Sequence, residues 1–159
     1  MIVVSNTSPI TNLAAIGQLD LLRQLYQTII ISEAVYRELT AHGGRYPGAV
    51  VKSTNWIEIR KVANSAAVTA LRLELDEGEA ATIVLAQEIS ADLVLMDERL
   101  GRTAALRFGL QVIGVLGVLV EAKQQSLIPN IKPLVDNLIN SGFFIKTDLY
   151  NRVLQAVGE

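Results

Sequence analysis

Short apolar runs alternate with segments of helical periodicity along this chain. Residues 2–4, residues 28–31, the run "LVLM" and the segment "QVIGV" at residues 111–115 have the length and apolar content of buried strands. The segment "WIEIRKV", residues 56–62, alternates apolar and charged side chains, which is typical of a half-exposed edge strand. Strands separated by helices indicate βαβ units, and these build a parallel sheet with helices on both faces.

Capping residues and helix breakers mark the expected helix boundaries. Ser8 is the predicted N-cap of the first helix, with Pro9 at the first helical position, and Gly17 is expected to divide the helical segment that follows. Ser32 should cap the helix "EAVYREL". The tail predicts helices interrupted at residues 129–133 and at Gly142.

The fold class follows from this order of elements. We predict an α/β protein, a three-layer α/β/α sandwich around a central, mainly parallel sheet. With 159 residues, half of them hydrophobic, the chain can bury a sizeable core as one unit. We expect the main domain to occupy residues 1–125 and a C-terminal helical extension, residues 126–159, to pack on it.

Composition excludes several kinds of chemistry. Fourteen Lys and Arg against sixteen Asp and Glu give a net charge of −2, so any contact with nucleic acid must be local. The chain has no Cys and a single His, His42, which excludes thiol nucleophiles, disulfides and multi-histidine metal sites. The longest apolar run, residues 112–120, is too short to span a bilayer. We expect a soluble, cytoplasmic protein.

Four polar positions occur where an α/β fold keeps its chemistry. Asn6 follows the first strand, Glu38 lies in the helix after the second, Glu79 is near the start of the helix "EGEAATIVLA", and Asp97 follows "LVLM". These positions are far apart in sequence, and a parallel sheet would bring them together at the carboxyl ends of its strands.

Each of these residues also has a purely structural interpretation. Asp76 and Glu79 have the spacing of a capping box. Asp97 could cap the helix "ERLGRTAALRF", Glu38 could be a solvated helix acid, and Asn6 could form a turn or a cap.

Other catalytic signatures are absent from the sequence. No G-x-G-x-x-G or P-loop follows a strand, and no G-x-S-x-G elbow is present. Hydrolysis by carboxylates and a metal ion remains as the best interpretation. A small-molecule phosphatase with Asp97 as the nucleophile is a weaker alternative.

Several segments carry a resemblance to a known family. With "VVSNTSPITNLAAIGQLDLL", "ISEAVYREL", "LDEGEAATIVLAQEISADLVLMDERLGR" and "SGFFIKTDLYNRVL", the chain resembles the PIN-domain superfamily, specifically its bacterial and archaeal branch of uncharacterised PIN-like proteins. The resemblance covers nearly the whole chain. It implies a sheet sandwiched by helices and, in active members, a ribonuclease that depends on Mg²⁺ or Mn²⁺. Many such members are toxins paired with an antitoxin protein, and PIN domains often form homodimers.

The resemblance also implies a set of site residues. The catalytic acids would be Glu38, Glu79 and Asp97, and these with Asn6 would be the metal ligands. Position 6 is usually an aspartate in the family, whereas this chain has the neutral Asn6. Glu98 or Asp76 would support the metal ligands from outside the coordination sphere of the ion. The substrate-binding candidates are Thr7, Ser8, Arg99 and Arg102.

Two functions of different classes follow. The leading hypothesis is a metal-dependent endoribonuclease acting on single-stranded or structured RNA, as the toxin of a toxin–antitoxin pair. The alternative is a PIN-fold module that binds RNA or a partner protein without cleaving it. The alternative is favoured by neutral Asn6 and the net charge of −2, and the enzyme by Glu38, Glu79 and Asp97.

Overall fold

The sheet of the computed structural model, which describes residues 1–159, has five strands that are all parallel. Their order is β3-β2-β1-β4-β5. The strands are β1 (Val3–Ser5), β2 (Ile29–Ser32), β3 (Ile57–Arg60), β4 (Leu93–Leu95) and β5 (Val112–Ile113). In the central register, Val4 lies between Ile30 and Val94.

Nine α-helices and one 3₁₀ helix, Pro47–Ser53, surround the sheet. The α-helices are α1 (Thr7–Ala15), α2 (Asp20–Tyr26), α3 (Glu33–Thr40), α4 (Ser65–Leu71), α5 (Glu77–Glu88), α6 (Arg99–Arg107), α7 (Val115–Gln124), α8 (Lys132–Asn140) and α9 (Thr147–Ala156). None of them has the length and apolar content needed to cross a membrane.

Two hydrophobic clusters lie on opposite faces of the sheet. Strand side chains alternate between the faces, so Val3 belongs to one cluster while Val4 belongs to the other. The larger cluster of 22 buried residues includes side chains of α1, α2, α3, α7, α8 and α9, and the smaller cluster of 11 includes those of α5 and α6. The predicted three-layer α/β/α sandwich is therefore confirmed.

The strand order reverses direction at the centre of the sheet. The chain runs outward from β1 through β2 to β3, and then returns to place β4 on the other side of β1. Parallel α/β proteins bind ligands at such a switch, beyond the carboxyl ends of the two strands. Asn6 directly follows β1, and Asp97 lies two residues after β4.

The start of α1 differs from the prediction. The helix begins at Thr7, so Asn6 rather than Ser8 occupies the N-cap position and Pro9 is the third helical residue. Asn6 takes the extended conformation of a cap, with φ −77° and ψ 178°, but its side chain makes no capping bond. Ser8 is consequently free to turn its hydroxyl toward another element.

Most of the predicted local signals are confirmed. Ser32 caps α3 by accepting a hydrogen bond from the amide of Val35 at 3.1 Å. Gly17, with φ +69°, separates α1 from α2, and Gly142, with φ +102°, follows α8. The helices are interrupted between Gln124, the end of α7, and Lys132, the start of α8, so the predicted interruption at residues 129–133 overlaps the first turn of α8, which contains Pro133.

The two edge strands are shorter than predicted. In β3, at the expected edge position, Ile57 is buried but Ile59 is 44% exposed. The segment predicted as a last core strand is instead the opposite edge, β5, whose Val112 and Ile113 are half-buried because only one neighbouring strand covers them.

The last helices contribute to the larger core. Ile131, Val135, Leu138 and Leu154 all belong to the 22-residue cluster. The Glu159 carboxylate accepts hydrogen bonds from the amides of residues 131 and 132 and from the Lys123 ammonium, at 2.7 to 2.9 Å. The division at residue 125 stays a prediction.

Candidate functional site

Asn6 is buried at the centre of the strand ends. Asn6 is 3% exposed, and its backbone N–H donates to the carbonyl of Leu95 at 2.9 Å. This bond joins the ends of β1 and β4. Its Oδ1 atom is the only buried side-chain nitrogen or oxygen without a hydrogen-bond partner. A buried acceptor left without a partner costs about 1–3 kcal/mol of stability, so this position favours a ligand that the Asn6 oxygen can bind, either a cation or a hydrogen-bond donor.

Glu38 lies between α1 and α5. The Thr7 hydroxyl donates to Glu38 Oε2 at 2.5 Å, and the carboxylate rests against the backbone of Gly78 at the start of α5. Burial raises the pKa of Glu38 above its ordinary value of 4.5, and the nearby Asp76 and Glu77 also raise it, while the bond from Thr7 opposes the shift. The alternative interpretation of Glu38 as a solvated helix acid therefore does not hold, because this side chain is half-buried and accepts a hydrogen bond from α1.

Glu79 combines a capping role with a position in the acidic cluster. The amide of Glu79 donates to Asp76 Oδ1 at 2.8 Å, and the amide of Asp76 donates to Glu79 Oε2 at 3.3 Å, which confirms the predicted capping box. Glu79 is only 7% exposed. Burial raises its pKa, and the charges of Asp76, Glu98 and Glu38 raise it further. Its other oxygen, Oε1, forms no hydrogen bond within the protein.

Asp97 is held by the helix that follows β5. The Val115 amide, at the first residue of α7, donates to Asp97 Oδ1 at 2.8 Å, and Asn12 Nδ2 lies 3.5 Å from Oδ2. The alternative interpretation, in which Asp97 caps the helix after it, does not hold, because Glu98 is the N-cap residue of α6. Burial raises the pKa of Asp97 despite these bonds and the nearby Arg102.

The four substrate-binding candidates occupy different situations. The Thr7 hydroxyl is bound to Glu38, and the Ser8 hydroxyl donates to Glu98 Oε1 at 3.0 Å, so both position acidic side chains. Arg102 lies beside Asp97 and donates through Nη1 to the carbonyl of Met96 at 3.2 Å. Arg99, the first residue of α6, is exposed and forms neither a side-chain hydrogen bond nor an ion pair.

A cavity of about 770 Å³ opens beside Asp97. Its polar lining comes from Ser8, Asn12, Asp97, Glu98 and Arg102. Glu38 and Glu79 lie outside this lining. The acidic side chains therefore form two adjacent groups, one between α3 and α5 and the other beside the cavity, and Glu98 lies close enough to raise the pKa of both Glu79 and Asp97.

Two glycines that the sequence analysis missed touch the carboxylates. A Cβ atom at Gly78 would collide with Glu38 Oε1 and would lie 3.1 Å from its Cδ atom. A Cβ atom at Gly114 would lie 2.5 Å from Asp97 Oδ1 and 3.0 Å from Arg102 Nη1. Gly114 directly follows β5, so the rule that singled out Asn6 after β1 could also have found Gly114.

The type of ligand atoms at this site suits a hard divalent cation. Glu38, Glu79, Asp97 and Asn6 offer carboxylate and amide oxygens, which Mg²⁺ and Mn²⁺ prefer. None of the three acids forms an ion pair within the protein. Yet no three His, Asp or Glu side chains converge closely enough to form a ready-made metal site. The chemistry of these ligands fits a divalent ion, whereas their arrangement does not form a complete cage.

The fold and the site together define a class of protein. An all-parallel α/β/α sandwich with carboxylates at its switch point is typical of proteins that hold a ligand at the carboxyl edge of the sheet. A PIN-domain family model matches residues 2–159, and the chain therefore belongs to the PIN-domain family, as its sequence predicts. The PIN domain is a nuclease-type fold that suggests nucleic-acid binding, and PIN domains generally use divalent metals. No curated protein matches the chain significantly.

Proposed function

We propose that this protein is a metal-dependent endoribonuclease that hydrolyses phosphodiester bonds in RNA at the carboxyl edge of β1 and β4. One observation supports this proposal most strongly. Glu38, Glu79 and Asp97 are buried or half-buried, none of them forms an ion pair, and burial raises the pKa of each. Since carboxylates gathered in this way repel one another, a bound cation would relieve both the repulsion and the cost of burial.

Glu38, Glu79, Asp97 and Asn6 would hold the ion. When bound, Mg²⁺ or Mn²⁺ would supply Lewis acidity, which makes a water molecule more acidic and offsets charge that builds up on the phosphate. Asn6 contributes an oxygen without a charge, so this chain should bind the ion more weakly than a relative with aspartate at that position.

The protein's own bonds fix the orientation of the acids. Thr7 holds Glu38, the capping box holds Glu79, and the Val115 amide holds Asp97. Such anchoring reduces the entropy that must be lost when the side chains engage a ligand. A raised pKa also makes Glu38 a better proton acceptor than an exposed glutamate, which suits the orientation and deprotonation of an attacking water.

Arginine side chains would contact the substrate. Arg102 lies beside Asp97 with one guanidinium nitrogen already bound to a backbone carbonyl, so its orientation is fixed and its remaining N–H groups can bind a phosphate. Arg99 lies one turn earlier on the same helix and is exposed. A local pair of cations is required because the net charge of −2 does not attract RNA to the protein as a whole.

Cleavage of a mixed pool of structured and unstructured RNAs with Mn²⁺ tests the proposal. The reaction is run beside EDTA and beside Asp97→Asn, purified identically to expose contaminating ribonuclease. Asp92→Asn is the matched control, because Asp92 precedes the same strand at the opposite end of the sheet, where it accepts the amide of Ile2. Cutting that requires the ion and Asp97, but not the Asp92 carboxylate, supports the enzyme. Equal cutting by both variants contradicts it.

A non-catalytic PIN module is the second candidate. Two observations favour it: Asn6 is neutral, and no three acidic side chains converge into a metal site. In this case the protein would bind RNA or a partner protein at the same edge of the sheet. Isothermal titration with Mn²⁺ separates the candidates, because a module without catalysis has no need of an ion at Asp97. Cutting by Asn6→Asp beside a silent wild type would show that catalysis was lost at that residue.

The cellular role within this proposal is a toxin paired with an antitoxin protein, as the family resemblance implies. Induced expression of the wild type should then arrest growth, whereas expression of Asp97→Asn should not. Co-purification with the product of an adjacent gene would identify the antitoxin, and light scattering would show whether the protein is a homodimer. Growth arrest by both forms would contradict a toxin that acts through cleavage.

A further inference from the structure

The lining of the cavity beside Asp97 comes from two parts of the chain with unlike chemistry. The segment after β4 and the first turn of α6 contribute Asp97, Glu98 and Arg102, which we call the polar end. The segment between α8 and α9 contributes Phe143 and Phe144, which we call the apolar end. A ligand that fills this cavity must therefore combine an apolar part with a charged or strongly polar part.

Phe144 is the most unusual residue of the apolar end. It is 81% exposed although it is a large aromatic side chain, and it belongs to the lining of the cavity. Isolated exposed apolar residues are common on proteins, but an exposed ring that lines a cavity together with charged groups is typical of a binding surface. The ring of Phe144 is thus open to stacking by a ligand.

The segment that carries Phe144 is held firmly. The adjacent Phe143 packs against the larger core cluster, and its amide donates to the carbonyl of Leu138 at 2.9 Å. The Tyr150 hydroxyl donates to Asp136 Oδ1 at 2.6 Å and joins α9 to α8. The backbone that carries Phe144 is therefore anchored on both sides, which keeps its ring beside the cavity.

We propose that the apolar end is a subsite for an unpaired base of the RNA, which stacks on Phe144 while the neighbouring phosphodiester lies at Asp97 and Arg102. This inference rests on the proposed function. A volume of about 770 Å³ lies within the range of about 300–1,000 Å³ that is usual for ligand sites and accommodates a nucleotide. Stacking on an aromatic side chain requires an unpaired base, so the subsite selects single-stranded segments.

A nucleotide suits this lining better than an apolar peptide does. A purely apolar segment would cover Asp97, Glu98 and Arg102 without giving them partners, and buried charges without partners oppose binding. A nucleotide carries a flat apolar base and an anionic phosphodiester in one unit, so the base can stack on Phe144 while the phosphodiester binds Arg102 and the cation proposed at Asp97. Stacking would also supply the affinity that a protein of net charge −2 does not gain from its overall field.

A fluorescence assay tests the subsite separately from cleavage. The probe is a short single-stranded RNA that contains 2-aminopurine, titrated with the Asp97→Asn protein in Mn²⁺ so that it is not cut. We expect stacking to quench the fluorescence. In this background, Phe144→Ala should weaken binding by about tenfold and abolish the quenching, whereas Phe144→Tyr should preserve both. Phe108→Ala is the matched control, since Phe108 is also an exposed phenylalanine, 43% exposed, but lies outside the cavity.

Several results would overturn the subsite. They are unchanged quenching and affinity in Phe144→Ala, equal binding of the same probe in a duplex, or no binding of the probe at all. A Phe144→Ala protein that changes only its oligomeric state in light scattering would show an interface between copies instead. The nuclease proposal fails independently if quenching depends on Phe144 but the wild type never cuts RNA. If wild-type cutting requires Asp97 but neither Phe144 nor an unpaired strand, the subsite alone is rejected.

Discussion

Replacing Gly114 with alanine should disable the site without altering any acidic residue. Gly114 is the N-cap of α7, and its φ of −99° and ψ of −172° are open to every residue type, so alanine adds no backbone strain. The added methyl group would nevertheless lie 2.5 Å from Asp97 Oδ1 and 3.0 Å from Arg102 Nη1. Since ordinary contacts of this kind begin near 3.4 Å, the carboxylate must move by about 0.9 Å, the difference between 3.4 and 2.5.

The expected loss of stability follows from the hydrogen bond that this movement breaks. Asp97 Oδ1 accepts the Val115 amide at 2.8 Å, and a displacement of that size away from the methyl group stretches the bond beyond hydrogen-bonding distance. A hydrogen bond to a charged group contributes about 1.5–3 kcal/mol, and alanine is also a poorer N-cap than glycine. We expect Gly114→Ala to lower the free energy of unfolding by roughly 2–4 kcal/mol.

Two assays measure the consequence. Chemical denaturation reports the stability, and Mn²⁺-dependent RNA cleavage reports the placement of Asp97. A displacement of about 1 Å can reduce the rate by about 100-fold, so cleavage should fall much further than the remaining folded fraction explains. Gly44→Ala is the matched control, because nothing lies within 4 Å of its added Cβ atom.

A Gly114→Ala protein that equals Gly44→Ala in both stability and cleavage would refute the proposed displacement of Asp97. Loss of stability with undiminished cleavage would show that Asp97 is structural and that the reaction takes place elsewhere. Should cleavage be absent in the wild type, Mn²⁺ affinity by calorimetry takes its place as the second readout.

Three further predictions concern charge. Asn6→Asp buries a carboxylate at a position that is 3% exposed, so the variant should lose about 3 kcal/mol of stability in EDTA, regain it in Mn²⁺ and bind Mn²⁺ at least about tenfold more tightly than the wild type. The control is Asn64→Asp at an exposed helix cap, and equal melting temperatures of Asn6→Asp with and without Mn²⁺ would contradict the prediction. Burial raises the pKa values of Glu38 and Asp97 above 4.5 and 3.8, so Mn²⁺ affinity should continue to increase with pH above those values, and an affinity that no longer increases above them would argue against both as ligands. Without the ion, the same shifts stabilise the fold at pH values below 3.8, and this contribution is lost as the pH rises through the raised pKa values. Burial opposes ionisation of Glu159, but the Lys123 ammonium and two backbone amides lower its pKa to about 2. The stabilisation of the fold by this carboxylate is therefore present above pH 4.5 and lost as the pH falls toward about 2. Glu159→Gln should lower Tm by about 2–4 °C at neutral pH and by less in acid, and an equal loss at every pH would show that the charge is irrelevant.

The elements that carry the site were predictable because their signals are local. Ser32 bonds to an amide three residues away, and the capping box of Asp76 and Glu79 also spans three residues. Period-two alternation likewise divides Val3 and Val4 between the two cores. A signal that spans one helical turn or one strand involves residues that are close together in sequence, so hydrophobic pattern and residue propensity suffice to find it.

The bonds that shape the site connect distant parts of the chain. Thr7 reaches Glu38 across 31 residues, and Ser8 reaches Glu98 across 90. Asp97 bonds to Val115, 18 residues away in the next βα unit, instead of capping its own helix. The sequence indicated that these acids follow strands, but it did not indicate which strand ends are neighbours, because that depends on the strand order around β1.

The sequence by itself therefore determined the order of the strands and helices that carry the site and the acidic residues that lie in or after them. Only the tertiary structure decided that Gly78 and Gly114 touch carboxylates, that the Asn6 side-chain oxygen is buried without a partner, and that Phe144 lines the same cavity as Asp97. Secondary structure arises from neighbouring residues, whereas close approach between side chains arises when a sheet with a particular strand order is packed between two helical layers.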